Sequence, residues 1–192
     1  MIILGITGAS GVIYGKRICE ELVRYKKDVG LIVTEHAKDV LCHELKLKYY
    51  SKDEIFSSEI GNKIKEFSIS DMKAPLASGS FKTEGMVIAP SSINSLASIA
   101  GGICNNLLLR SAQVTLKERR KLILVPRESP LGTIQLRNLL TLSEAGALIV
   151  PPCPAFYYNP ETIEDIINFT VSRVLNLLGI ENNLITPWGE KI

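Results

Sequence analysis

Charge of one sign is what this chain most lacks. Lys and Arg number 22 and Asp and Glu 20, a formal charge of +2. That balance gives no general case for a nucleic-acid or acidic-membrane partner, although it leaves room for a local cationic pocket. Histidine is scarce: His36 and His43 are the only two. The four cysteines, Cys19, Cys42, Cys104 and Cys153, stand tens of residues apart with no CxxC pair. They read as reduced thiols, mostly buried, and no metal site is expected. No uninterrupted apolar run reaches the ~20 residues a spanning helix needs. The opening MIILGITGASG has no basic leader and is broken by glycines, so it does not read as a signal peptide. A soluble, cytoplasmic protein without repeats or low-complexity segments is expected.

What is present is an alternation of short apolar runs with longer helical patterns, the mark of an α/β protein with a largely parallel sheet. Strands are expected at Ile2–Ile6, Val29–Val33, Met86–Ala89 (closed by Pro90), Leu122–Val125 and Ala147–Val150. Helices are expected at about Val12–Tyr25, Glu35–Leu45, Ser91–Leu109 with a break at Gly101-Gly102, Ser111–Arg120, Thr133–Ala145 and Thr162–Leu178. Residues 49–70 are polar and fit helix or strand. In the last helix Ile163, Ile166, Ile167, Val171, Val174, Leu175 and Leu178 fall at core spacing, and Gly179 reads as its cap. The whole chain, 1–192, is expected to be one domain, with 180–192 a tail packing over the site or a neighbouring subunit.

Ligands of an open parallel sheet bind outside the carboxyl ends of its strands. The first such loop is TGASG, residues 7–11, where glycines permit close backbone approach and helix-start amides can meet a phosphate. It is neither a full G-x-G-x-x-G run nor a P-loop, since no GK[ST] follows. In the loop APSSINSLAS, Ser91 and Ser92 suit either helix capping or holding a phosphate or ring edge. Arg110 and Lys117 stand seven residues apart and so share a helix face. Arg127 and Glu128, set between two prolines, follow a strand directly, and an Arg there suits bidentate phosphate recognition. Tyr157 lies in the stiff loop PPCPAFYYNP. Arg173 sits beside core-like positions, so its head must reach solvent or an anion. Trp188 suits pocket closure or a subunit contact.

These residues carry a wider match. The sequence resembles the UbiX/Pad family of flavin prenyltransferases, formerly described as aromatic acid decarboxylase subunits. The match rests on ITGASG (6–11), PLASGSFKTEGMVIAPSS (75–92), LKERRKLILVPRESP (116–130), PPCPAFYYNP (151–160) and SRVLNLLGI (172–180). The resemblance implies a Rossmann-like, flavodoxin-like three-layer fold with helices on both faces of an open parallel sheet. It implies a homo-oligomer, typically a dodecamer, with active sites at subunit interfaces. The implied reaction moves a dimethylallyl group from dimethylallyl phosphate to N5 and C6 of reduced FMN, without a metal. Its product serves UbiD-type decarboxylases.

By the same resemblance Gly8, Ala9, Ser10, Thr34, Ser91, Ser92, Ile93, Asn94 and Arg110 would border FMN. Ser10 would assist on the N5 side. Lys117, Arg127, Tyr157 and Arg173 would hold the prenyl phosphate, Glu128 would serve proton transfer, and Trp188 would close the site. Ser10, Glu128 and Lys117 are the expected catalytic residues. Three departures from the family pattern bear on flavin contacts or helix packing: Asn94 in the helix-start motif, and Cys104 and Gln113 where an Asp is usual. Alternatives are an FMN-dependent cysteine-type decarboxylase, which would want a catalytic histidine, and a non-enzymatic flavin carrier. A nicotinamide enzyme fits the glycine spacing poorly. The sequence leaves monophosphate and diphosphate donors both open.

Overall fold

A computed structural model describes residues 1–186 and 189. Its elements in chain order are β1 (Ile2–Ile6), α1 (Val12–Arg24), β2 (Val29–Val33), α2 (Glu35–Glu44), α3 (Lys52–Ile55), α4 (Ser58–Gly61) and β3 (Ile64–Phe67). A 3-10 turn at Pro75–Ala77 leads to β4 (Gly85–Ser91), α5 (Ile93–Ala100), α6 (Leu107–Lys117), β5 (Leu122–Pro126), α7 (Thr133–Glu144), β6 (Leu148–Ile149) and α8 (Ile163–Leu178). The apolar runs β1, β2, β4 and β5 are buried along their whole length, as strands covered on both faces must be.

All neighbouring strands are parallel, in the order β3-β2-β1-β4-β5-β6. Side chains alternate across the sheet. Ile2, Leu4 and Ile6 join a core roofed by α1, α2 and α8. Ile3, Met86, Ile88, Leu122 and Leu124 join one roofed by α5, α6 and α7. This is the expected three-layer, doubly covered sheet. One close approach holds it: a Cβ on Gly15 of α1 would overlap the Ala89 carbonyl oxygen of β4, so the helix sits almost on the strand backbone.

The chain runs outward from β1 to β3 and then returns to place β4 beside β1. The direction of winding therefore reverses between β1 and β4, and a crevice opens there at the carboxyl ends.

Three local expectations change. β4 does not close before Pro90 but runs to Ser91. Pro90 has no amide for the ladder, and the register with β5 shifts between Ile88 and Ser91 before pairing resumes at Ser91↔Pro126. The helix expected over Ser91–Leu109 breaks at Gly101, as expected, but does not resume directly. Asn106 then caps α6 by accepting from Leu109 N at 2.9 Å, so α6 begins at Leu107 rather than Ser111. Residues 49–70 hold two helical turns and the edge strand β3. Ile163, expected in the core, is 78 % exposed because it occupies the first turn of α8, beyond the sheet. Gly179 caps α8 in the left-handed region, φ 84°, as expected.

Candidate active site

Thr7 joins the two strands at the crevice. Its buried Oγ1 donates to the Pro90 carbonyl at 2.7 Å and accepts from Ser92 N at 2.7 Å. That bond fixes Ser92, whose hydroxyl oxygen caps α5 by accepting from Ser95 N at 3.3 Å. A cavity of about 470 Å³ lies here, within the range of small-molecule sites. Gly8 lines it from the loop after β1, and Thr34, Glu35 and His36 from the start of α2. Ser92, Asn94, Ser95 and Ser98 come from α5, Asn105, Asn106 and Leu109 from the start of α6, and Ile69 and Ile103 add apolar surface.

Three of these walls are helix N-termini. Thr34, Ser92 and Asn106 are the N-caps of α2, α5 and α6. Three positive dipole ends thus meet one cavity, with hydroxyl and amide groups between them. Among the described residues no Lys or Arg lines it. Such a wall suits a phosphate attached to a larger polar and aromatic body.

The first loop is arranged differently. Two amides at its end are already taken: Gly11 N donates to Glu44 Oε1 and Oε2 at 3.1 and 3.0 Å, and Val12 N donates to Oε2 at 3.1 Å. A carboxylate from the far end of α2 therefore stands at the α1 N-terminus, where TGASG alone suggested a phosphate. α1 has no side-chain cap of its own and no acid in its first turn, so the anion must come from elsewhere in the fold. Glu44 was not foreseen. The only sequence hint is that uncapped helix start, and it does not say which acid answers it.

A model of the Flavoprotein family matches residues 1–175. The flavin prenyltransferase UbiX of Alkalihalophilus pseudofirmus is 45% identical over 190 residues, covering 97% of this chain and 95% of its own. That of Methanocaldococcus jannaschii is 45% identical over 188 residues, covering 98% of each. The chain belongs to the UbiX family. Among solved structures, AnUbiX (PadA1) in complex with FMN and dimethylallyl pyrophosphate has a TM-score of 0.89 at 36% identity, covering 100% of this chain and 98% of that one. A dodecameric FMN-dependent UbiX-like decarboxylase from Escherichia coli O157:H7 gives 0.87 at 39%, covering 97% and 98%. A PPC decarboxylase mutant gives 0.62 at 22%, covering 80% and 82%, and shares the fold alone.

Of the flavin residues expected for a UbiX chain, the cavity gathers Gly8, Thr34, Ser92 and Asn94. Ser91 does not line it: fully buried, its hydroxyl donates back to the Ile88 carbonyl at 2.7 Å and closes β4. Ile93 packs into the α5–α6–α7 core, and Ala9 is buried. Arg110 donates from Nε to the Ala77 carbonyl at 3.0 Å, holding the 75–77 turn against α6. Ser10 is exposed beside the cavity, and its carbonyl accepts from Arg127 Nε at 3.2 Å. The Arg127 amide in turn donates to the Ser91 carbonyl at 3.4 Å. The loops after β1, β4 and β5 therefore meet at one corner. The loop after β6 reaches the same corner: burial first, and then the nearby Cys153, push the Tyr14 phenol above its ordinary range.

The residues expected to hold the prenyl phosphate do not all lie together within one chain. α6 starts at the cavity and runs back toward the amino ends of the strands, where the Lys121 carbonyl accepts from Met86 N. Lys117 ends this 11-residue helix, roughly 15 Å from its start. There it pairs with Glu118 at 2.6 Å. Arg173 is exposed on α8, across the sheet from α6. Tyr157 lies before α8, edge-on to Phe169 with ring centroids 5.9 Å apart. Glu128 is exposed next to Arg127, its carboxylate accepting from Ser129 N. Trp188 lies outside the described residues.

The departures have structural roles of their own. Gln113 donates to the Ile99 carbonyl at 2.7 Å and ties α6 to α5, while Cys104 Sγ lies 3.5 Å from the Gly102 carbonyl in the loop between them.

Proposed function

We propose that this UbiX-family chain is a flavin prenyltransferase: it holds reduced FMN in the cavity between β1 and β4 and joins to it a dimethylallyl group from dimethylallyl phosphate. The observation that carries the reading is the meeting of three capped helix N-termini around one cavity at the winding reversal. It supplies donors for a phosphate without a P-loop, in a chain whose relatives are UbiX prenyltransferases. Thr34, Ser92, Asn94 and Asn106 would hold the flavin phosphate and ribityl chain, and Gly8 and Ser10 would border the ring. Reduced FMN supplies the electron-rich N5 and C6 to which the five-carbon unit becomes bonded.

The chain's own task is to make the allylic C–O bond leave. Charge develops on the departing phosphate, and convergent cations with a phenol stabilise it as it forms. Lys117, Arg127, Tyr157 and Arg173 are assigned that task, Glu128 takes part in proton transfer during ring closure, and Ser10 assists at the N5 side. Water must be kept from the allylic cation, which a closing tail that includes Trp188 would favour. No metal is required in this scheme.

Lys117 and Arg173 lie on opposite faces of one sheet. The reading therefore includes a homo-oligomer in which neighbouring copies complete each phosphate site, in line with a dodecameric relative. Exposed Leu131, Ile134, Leu136 and Leu140 on and just before α7 supply apolar surface for such contacts. A cytoplasmic location and delivery of the prenylated flavin to a UbiD-type decarboxylase complete the proposal.

The test is a mass spectrum of flavin extracted after anaerobic incubation with reduced FMN and dimethylallyl monophosphate or diphosphate, without metal. A product heavier by one five-carbon unit is expected. FMN recovered unmodified with both donors would overturn the reading. Lys117→Ala should slow transfer at least about tenfold while leaving FMN affinity unchanged.

A further inference from the structure

We infer that His36 is a titratable anchor for the flavin phosphate, giving FMN affinity a proton-dependent part. The inference rests on FMN occupying the cavity with its phosphate toward the helix N-termini. His36 is the second residue of α2 and lines the cavity between Thr34 and Gly8. A Cβ on Gly8 would come within 2.7 Å of the His36 Cβ, so the bare glycine is what lets the His36 stem lie against the loop. Among the described residues no Lys or Arg lines the cavity, and among them His36 is the one lining side chain able to carry positive charge.

The other titratable group on the wall is Glu35, and its carboxylate is engaged by Lys38 Nζ at 2.9 and 3.1 Å. The lining residues from the β1 loop, α5 and α6 carry no titratable side chain. Arg110, next along α6, is turned to the Ala77 carbonyl. Asp39 is exposed one turn along α2, and His43 is two turns away outside the lining.

At a helix N-terminus the dipole disfavours an imidazolium that stands alone. A phosphate in the cavity reverses that balance and favours the protonated ring. The charge-assisted contribution of a histidine is full below its ordinary value of about 6.5 and fades as pH rises above it. The phosphate's own ionisation near pH ~6 acts in the opposite direction on overall affinity, so the effect must be read as a ratio between variants.

The experiment titrates wild type, His36→Gln and His36→Lys with FMN and, separately, with riboflavin, following flavin fluorescence from about pH 6 to about pH 8.5. For FMN, the Kd ratio of His36→Gln to wild type should be up to about fivefold at the acid end and converge on unity at the alkaline end. Riboflavin should show no difference at any pH, and His36→Lys should bind FMN tightly with the pH dependence of this ratio removed. A ratio that is constant with pH, or an equal loss for riboflavin, would overturn the inference and leave His36 a packing residue. Wild type that binds neither flavin would overturn it together with the flavin reading, and equal FMN and riboflavin affinities would remove the phosphate from the cavity.

Discussion

The cavity assigned to the flavin and the cations assigned to the prenyl phosphate are built in opposite ways. The described lining of the cavity carries no Lys or Arg; its field comes from backbone, through the N-termini of α2, α5 and α6. The cations lie at the carboxyl edge (Arg127), at the far end of α6 (Lys117) and on the opposite face (Arg173). Backbone dipoles are fixed by the fold and need no neighbour. Long side chains at a surface can be shared, and their convergence depends on what docks there. Flavin binding should thus be a property of the chain, and transfer a property of the assembly.

The largest expected effect destroys both halves together. Gly15→Ala pushes a methyl group against the Ala89 carbonyl oxygen and forces α1 off β4. A loss of about 3 kcal/mol is expected in urea unfolding, with flavin binding and transfer failing in parallel. Unchanged stability would show that α1 can move without cost.

The next effect separates the halves. Leu136 and Leu140 are 53% and 59% exposed on α7, and replacing both by Glu should break subunit contacts. Light scattering should report smaller particles, and transfer should fall by about 100-fold, the scale of a misplaced reacting group, while FMN affinity stays within about twofold of wild type. Full transfer by a monomer would end the comparison.

The smallest effect touches only the donor half. Asp165 accepts from Thr162 Oγ1 and from the amides of Thr162 and Glu161, and these bonds hold its carboxyl below the usual range. They fix the start of α8, just after the loop that carries Tyr157. A lowered folded pKa contributes stability above the unfolded value, and that contribution is lost as pH falls through the folded one. Asp165→Asn should therefore lower Tm slightly near neutral pH, and the difference should vanish in strong acid. A difference that persists in acid would assign the effect to packing.

Much of the scaffold was legible because the buried strands are continuous apolar runs and the helix ends carry their own signals, as Gly179 does with its left-handed φ. Pro90 misled because a missing amide interrupts a ladder without ending it. The break at Gly101-Gly102 was legible, but Asn106 was missed as a cap because the helical pattern was carried on through residues 101–106 to Leu109. Which of the residues expected to border the flavin line the cavity was illegible for a similar reason: alternating burial at a strand end sends Ser91 inward and Ser92 outward, and only the register decides which.

By itself the sequence determined the parallel α/β scaffold, the loops that carry chemistry and the family, since apolar runs, glycine turns and long ordered motifs are local. Only the tertiary structure decided that Glu44 fills the α1 N-terminus, that three helix starts share one cavity with His36 on its wall, and that Lys117 and Arg173 stand apart. Each of these is a meeting, or a separation, of segments far apart in the chain, and it is set by the order in which the strands pack.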